Sequence, residues 1–246
     1  MKFPIKLLSR TRYTRLKRST LQARMDQLQK LERSRDLIFS PASLQALDPQ
    51  TAFTIIDVGA NTGDVSLNLA GLFPRAQIFA IEADPQTYLA LVKKTEAAGT
   101  IRPVRLGIHS HSGWLDFYSH PNSVFSSLIN LPDSQTATRR VKIQTETLDQ
   151  FVEANNINNV ALLKIDTEGN DLEALKGAAM LLASPDLKHI ICEFGIHPED
   201  QRHVSINELL RFMAQKGFYI SSLGNFGCHA DHVFGNVLFA RAGFQK

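Results

Sequence analysis

Acidic side chains stand where apolar runs of this sequence end. Asp57 follows "FTII", Glu82 follows "QIFAI", and Asp166, Glu168 and Asp171 share "KIDTEGND". Glu193 lies inside "IICEFG", with His197 just beyond it. A carboxylate or imidazole at the end of a strand can take a proton from a hydroxyl, hold a cationic ligand, or accept hydrogen bonds from a sugar. Asp166 is the best-placed carboxylate for a general base, and it suits an ammonium ligand equally well. Glu193 is a second candidate, because a carboxylate inside an apolar run is costly unless paired. His197 is a third candidate base. Asp166 and Glu193 leave room for a divalent cation, but no ligand spacing requires one, and no residue is assigned to a metal. Lys164 shares its side of the strand with Asp166, which fits an ion pair. His229, Asp231 and His232 form only a weak metal pattern. Phe226, Phe234 and Trp114 are either walls of an acceptor pocket or ordinary core.

The segment "DVGANTGD" is a glycine loop of the form Asp57-x-Gly59-x-Asn61-x-Gly63. The dinucleotide fingerprint G-x-G-x-x-G would need glycine at 61 and 64, where Asn61 and Asp64 stand, and no Walker lysine follows. The glycines still allow a tight turn and close approach to a ligand. Two carboxylates, Asp57 and Asp64, would repel a pyrophosphate. They suit S-adenosylmethionine, which carries a sulfonium and an ammonium group and no phosphate. Glu82 lies 19 residues after Gly63, where a βαβ unit places the acidic residue that binds ribose hydroxyls. Asp84-Pro85 reads as the cap of the next helix.

These residues need a frame. From Phe53 the pattern alternates apolar strands with helices: strands near 53–59, 77–84, 101–109, 160–169 and 188–195, helices between them, and a final strand pair at 218–224 and 236–242. The segment 113–120 reads as an extra strand, followed by a polar loop to about residue 140, a short strand and a helix. The stretch after Gly169 reads as one helix. Strands one to five are apolar enough to be buried on both faces. Alternation of this kind predicts a mostly parallel, doubly wound α/β sheet with helices on both faces and a C-terminal antiparallel hairpin. In such sheets ligands sit beyond the carboxyl ends of the strands.

Of the 246 residues, 43% are hydrophobic and 21% charged, an ordinary globular balance. Residues 1–36 hold 11 basic and 3 acidic residues, a net of +8, so the remaining 16 basic and 21 acidic residues net −5. The basic segment, helical in pattern over 15–39, could lie on an anionic membrane surface or pack as a solvated helix. No apolar run is long enough to span a bilayer, and no secretory signal is evident. Cys192 and Cys228 lack metal or redox spacing, Cys192 in an apolar run. A cytoplasmic enzyme, peripheral to the membrane if the arm binds there, is expected.

"IDVGANTG", "IEADP" and "LLKIDTEGNDLEALKGAAMLL" together resemble the FkbM family of class I S-adenosylmethionine-dependent methyltransferases, over roughly residues 52–220. The last motif is long and specific; the first is shared by many methyltransferases. The resemblance implies a Rossmann-like class I fold with a seven-stranded sheet. It also implies S-adenosyl-L-methionine as cofactor and O-methylation of a hydroxyl on a sugar, glycan or other small natural product. By the same resemblance Asp57, Gly59, Asn61 and Gly63 line the methionine part and Glu82 the ribose. Gly107 to His109 face the adenine; Asp166, from its place at the strand end, is a candidate for the cofactor's amino group as well as for the base. Ser126, Ser127 and Glu168 fall on the acceptor side. The expected division is a basic helical extension over 1–45 and a methyltransferase domain over 46–246. The alternatives are a methyltransferase acting on RNA or protein, or a membrane-surface enzyme acting on a lipid-linked sugar through its basic arm. The body's lack of a basic and aromatic stripe argues against nucleic acid.

Overall fold

The computed structural model describes residues 41–44, 46–129, 139–197, 199–200, 202–229 and 232–243. The helix expected over 15–39, nearly all of the basic extension, Asp231 and the side chain of His229 lie outside the described residues. In chain order the strands are β1 (Thr54–Val58), β2 (Gln77–Glu82), β3 (Ile101–Arg105), β4 (Gly107–Ile108), β5 (Gly113–Ser119), β6 (Arg139–Glu146), β7 (Val160–Ile165), β8 (His189–Gly195), β9 (Phe218–His229) and β10 (His232–Arg241). The helices are α1 (Asp64–Leu72), α2 (Pro85–Thr95), α3 (Leu148–Ala154), α4 (Asp171–Lys176), α5 (Ala179–Ala183) and α6 (Ile206–Gln215).

Seven strands form one sheet in the order β3-β2-β1-β7-β8-β10-β9. The first five are parallel, and β10 runs antiparallel to both its neighbours. From β1 the chain winds outward to β2 and β3, then returns to the other side of β1 to lay down β7 and β8. Right-handed crossovers in opposite directions put their helices on opposite faces and open a crevice at the carboxyl ends of β1 and β7. This is the class I methyltransferase fold. Local chemistry sets the elements. Both flanks of β1 are covered, and all five of its residues are buried. Asp84 caps α2, its side chain accepting from the backbone N–H groups of Gln86 and Thr87. Thr147 and Gln150 form a capping box on α3. α6 begins at the Ser205 cap and turns Leu209 and Met213 inward. Among the described residues no helix is long and apolar enough to cross a membrane.

Three expectations change. The segment 101–109 is not one doubly buried strand. β3 is the sheet's edge, with only Ile101 fully buried, and β4 leaves to join β5 and β6 in a separate three-stranded sheet. The single helix expected after Gly169 is two, α4 and α5, broken at Gly177. The final hairpin is longer than expected, because pairing continues from His229 to His232.

A charged centre lies within the core. Lys164 on β7 is 1% exposed and points at Asp57 on β1, with Nζ 3.1 Å from Asp57 Oδ1 and 3.4 Å from Asp166 Oδ2. It also donates to Gly59 O at 2.9 Å, and Asp57 Oδ2 accepts from Ser66 Oγ at 2.5 Å. Burial opposes the charge on Lys164, but Asp57, Asp166 and Asp171 outweigh it and hold the ammonium's pKa above its ordinary value. The ion pair expected with Asp166 is present. Lys164→Met should destabilise the protein by about 3–5 kcal/mol in urea unfolding, because it strands a buried carboxylate, and adding Asp57→Asn should recover part of that loss. A loss below about 1 kcal/mol would show that the pair does not organise the core.

Candidate active site

The loop after β1 is shaped by contact with β7. Gly59 has φ +72°, and a Cβ there would lie 1.8 Å from the carbonyl oxygen of Asp166. Only glycine lets these two strand ends meet. The N–H groups of Gly59 and Ala60 both donate to Ile81 O at 2.9 Å, so the loop turns back over β2. Asn61, itself at φ +50°, then donates its N–H to Glu82 Oε2 at 2.8 Å, and Asp84 N–H donates to Oε1 at 2.8 Å. A carboxylate has about four lone-pair sites, so Glu82 keeps capacity for further donors. Burial raises its pKa; the two backbone hydrogen bonds partly offset that.

Glu82 borders a cleft that lies over the carboxyl ends of β1 and β7. Its apolar lining includes Ile81, Leu106, Ile108, Phe117 and Ile143, and its polar lining Asn61, Asp166, Thr167 and Glu168. Ser123, Ser126 and Leu128 also line it. Two hydrogen bonds tie this segment down: Ser123 Oγ donates to Asn61 Oδ1 at 2.9 Å, and Ser127 Oγ donates to Glu168 O at 2.7 Å. Asn170 fixes the far edge by donating to Ile108 O at 2.9 Å. The lining, carboxylates together with apolar side chains, fits a ligand with cationic and ribose groups joined to an aromatic base.

Beside the cleft, the turn after β7 places Glu168 at φ +53° against Glu193 of β8 and His203. One ligand atom from each lies within 4.8 Å of the others. Asp200 Oδ2 lies 2.8 Å from His203 Nδ1, and His203 Nε2 lies 3.5 Å from Glu193 Oε2. Phe234 stacks on the imidazole at 4.7 Å. Asp171 braces the turn: Oδ1 accepts from Thr167 N–H at 2.8 Å, and Oδ2 from Glu193 N–H at 3.1 Å. Burial, then the Asp166 charge, pushes the Asp171 carboxyl up to about 6. The same two causes raise Glu168 and Glu193 well above the carboxylate range.

The structure brings Gly59, Asn61, Glu82, Gly107, Asp166, Ser126 and Glu168 together around one cleft. It sets others apart. Asp57 is fully buried beneath the loop, neutralised by Lys164, and does not line the cleft. Asp64 faces outward and pairs with Lys94 at 2.6 Å. The two carboxylates read as repelling a phosphate therefore act elsewhere, and the cleft's acidity comes from Glu82, Asp166 and Glu168. Gly63 packs against Leu91 and Thr95 of α2. His109 turns toward His111, Nδ1 to Nδ1 at 3.1 Å, so only Gly107 and Ile108 of that segment reach the cleft. Ser127 holds the Glu168 carbonyl. His197 is exposed and stacks on His232 at 4.6 Å, outside the cleft. Trp114 is 67% exposed on the smaller sheet. Cys192 is buried, as expected, and Cys228 exposed. His203 was not anticipated. Its signal was the Asp200-x-x-His203 spacing, which is meaningful only once β8 brings Glu193 alongside.

The profile of the Methyltransferase FkbM domain matches residues 57–220. The hexuronic acid methyltransferase AglP of Haloferax volcanii is 30% identical over 145 residues, covering 58% of this chain and 57% of that protein. The 2-O-methyltransferase NoeI of Sinorhizobium fredii is 22% identical over 138 residues, covering 50% and 56%. The chain thus matches little more than half the length of these relatives. The crystal structure of an FkbM methyltransferase from Methylobacillus flagellatus superposes with a TM-score of 0.50 at 14% identity, covering 90% of this chain and 60% of that one, a likeness of fold.

Gly59→Ala should cost at least about 1–2 kcal/mol from the left-handed backbone alone, and more from the overlap with Asp166 O. The readout is thermal unfolding of the purified variant; an unchanged melting temperature would refute the contact.

Proposed function

The chain belongs to the FkbM methyltransferase family, and from that premise we propose that it transfers a methyl group from S-adenosyl-L-methionine to a hydroxyl of a sugar or similar small molecule. The observation that carries this reading is the cleft at the β1/β7 switch point, which Glu82 and Asp166 line together with apolar side chains. Bound there, S-adenosylmethionine would supply an activated methyl group on a sulfonium. Glu82 would accept from its ribose hydroxyls, as in other βαβ nucleotide sites. Asp166, 30% exposed and half-satisfied by Lys164, would attract its ammonium group. Ile108, Phe117 and Ile143 would pack on its adenine. The Ser123–Leu128 segment would exclude water above it. Methyl transfer is an in-line displacement, so these residues act mainly by alignment. The acceptor hydroxyl must lose a proton, and the Glu168–Glu193–His203 cluster beside the cleft is where it would be activated.

The names of the relatives, a hexuronic acid methyltransferase and a 2-O-methyltransferase, support a sugar acceptor. The basic segment 1–36, net +8, supports an acceptor presented at an anionic surface, such as a lipid-linked sugar.

S-adenosylhomocysteine should bind in calorimetry, and Glu82→Ala should weaken it at least about tenfold, since hydrogen bonds to a charged group are worth about 1.5–3 kcal/mol. A folded wild-type protein that binds neither the cofactor nor its product would overturn the reading. The binding form of Glu82 is ionised, and burial raises its pKa above 4.5. Affinity should therefore fall on acidification at a pH above the ordinary glutamate range. Glu82→Gln should abolish that dependence; a variant that titrates like the wild type would assign it to another group.

A further inference from the structure

We propose that Glu168, Glu193 and His203 hold a divalent metal ion at the acceptor side of the cleft. Three elements supply one donor each: the turn after β7, the β8 strand, and the segment leading into α6. The donors lie within 4.8 Å of one another. Ligand atoms at about 2.1–2.4 Å from one ion are separated by up to about 4.8 Å when opposed and about 3.0–3.4 Å when adjacent, so one ion spans this set.

The buried atoms are unfinished without it. The His203 side chain is 4% exposed, and Asp200 lies 2.8 Å from its Nδ1. In the neutral ring Nδ1 carries the proton to Asp200, and Nε2 presents a lone pair. That lone pair faces Glu193 Oε2 at 3.5 Å, too long for a hydrogen bond. Glu193 Oε2 is itself buried, with no hydrogen-bond partner among the described residues. With Glu193 ionised these are two acceptors facing each other away from water, and a shared cation between them removes both costs, holding the carboxylate in the charged form that burial alone disfavours. The second shell is that of a metal site: a carboxylate fixes the tautomer of a ligating histidine, and packing fixes its ring. Phe234 stacks on that ring, and Gly195 leaves the space Asp200 occupies, since a Cβ there would lie 2.4 Å from Asp200 Oδ2. Two carboxylates with one imidazole suit a divalent ion that prefers oxygen ligands and also accepts a nitrogen donor, such as Mn2+.

Three protein donors leave coordination positions open, and Glu168 lines the cleft. The open positions suit two neighbouring oxygens of one acceptor, a vicinal diol or a hydroxyl beside a carboxylate. Coordination lowers the pKa of a bound hydroxyl and orients it. This role rests on the methyl-transfer reading; the ion site does not.

The test is Mn2+ titration of the chelator-treated full chain, followed by calorimetry and by the electron paramagnetic resonance of free Mn2+, with S-adenosylhomocysteine binding measured on the same samples. One Mn2+ should bind per chain. Glu193→Gln and His203→Gln should weaken it at least tenfold, and Asp200→Asn by about 10–100-fold, with S-adenosylhomocysteine affinity within twofold of wild type as proof of an intact fold. Saturable Mn2+ binding lost in these variants upholds the site even if S-adenosylhomocysteine fails to bind, an outcome that would sink only the methyl-transfer reading. A wild type that binds S-adenosylhomocysteine but none of Mn2+, Mg2+ or Zn2+, or one whose metal affinity survives all three substitutions, overturns the site.

Discussion

The architecture depends on a buried ammonium. Lys164 sits between β1 and β7, the two strands from which the chain winds in opposite directions, and it faces Asp57 on one and Asp166 at the end of the other. A lysine this deep is tolerated only because its partners are fixed, and they are fixed because the strands carrying them are. Asp57 is locked by Ser66 of α1, and Gly59 O accepts a second Lys164 proton. The one charge thus joins strand, loop and helix. The glycine loop owes its position as much to this contact beneath it as to its own backbone freedom.

Around Lys164 the site gathers five acids: Asp57, Asp166, Glu168, Asp171 and Glu193. Lys164 can satisfy two of them at close range. Asp171 is spent on backbone N–H groups of the turn and of β8, and Glu193 Oε2 is left buried without a hydrogen-bond partner among the described residues. This imbalance cannot serve stability, since apolar groups of like volume would be as good or better. It makes sense if the site completes itself with positive charge from outside the chain, whether a cofactor's ammonium, an ion, or both.

Much of this was legible in the residue order. Strand periodicity and the failed dinucleotide fingerprint gave the fold and the position of Gly59, Asn61 and Glu82, because these depend on neighbours within one βαβ unit. Asp57 was misread because its partner, Lys164, is more than 100 residues away, and sequence spacing shows a charge but not its neutralisation. His203 was overlooked for the same reason: it matters through Glu193, with which it shares no helical or strand period. His197 drew attention only by being nearer to the strand end. The break between α4 and α5 was invisible because Gly177 is demanded by a distant contact, the carbonyl of His109, which lies 2.4 Å from where a Cβ would sit. Short-range chemistry was readable, and tertiary pairing was not.

The place of β10 has a consequence for how the protein is made. Residues 232–241 insert between β8 and β9, so the strand that carries Glu193 gains its second neighbour only when a segment late in the chain arrives. During synthesis β8 presents an open edge of unpaired backbone groups beside a strand that is almost wholly apolar, the combination most prone to pairing with another chain. Glu193 is the one carboxylate in that strand, and a charge within an unpaired apolar strand disfavours such pairing.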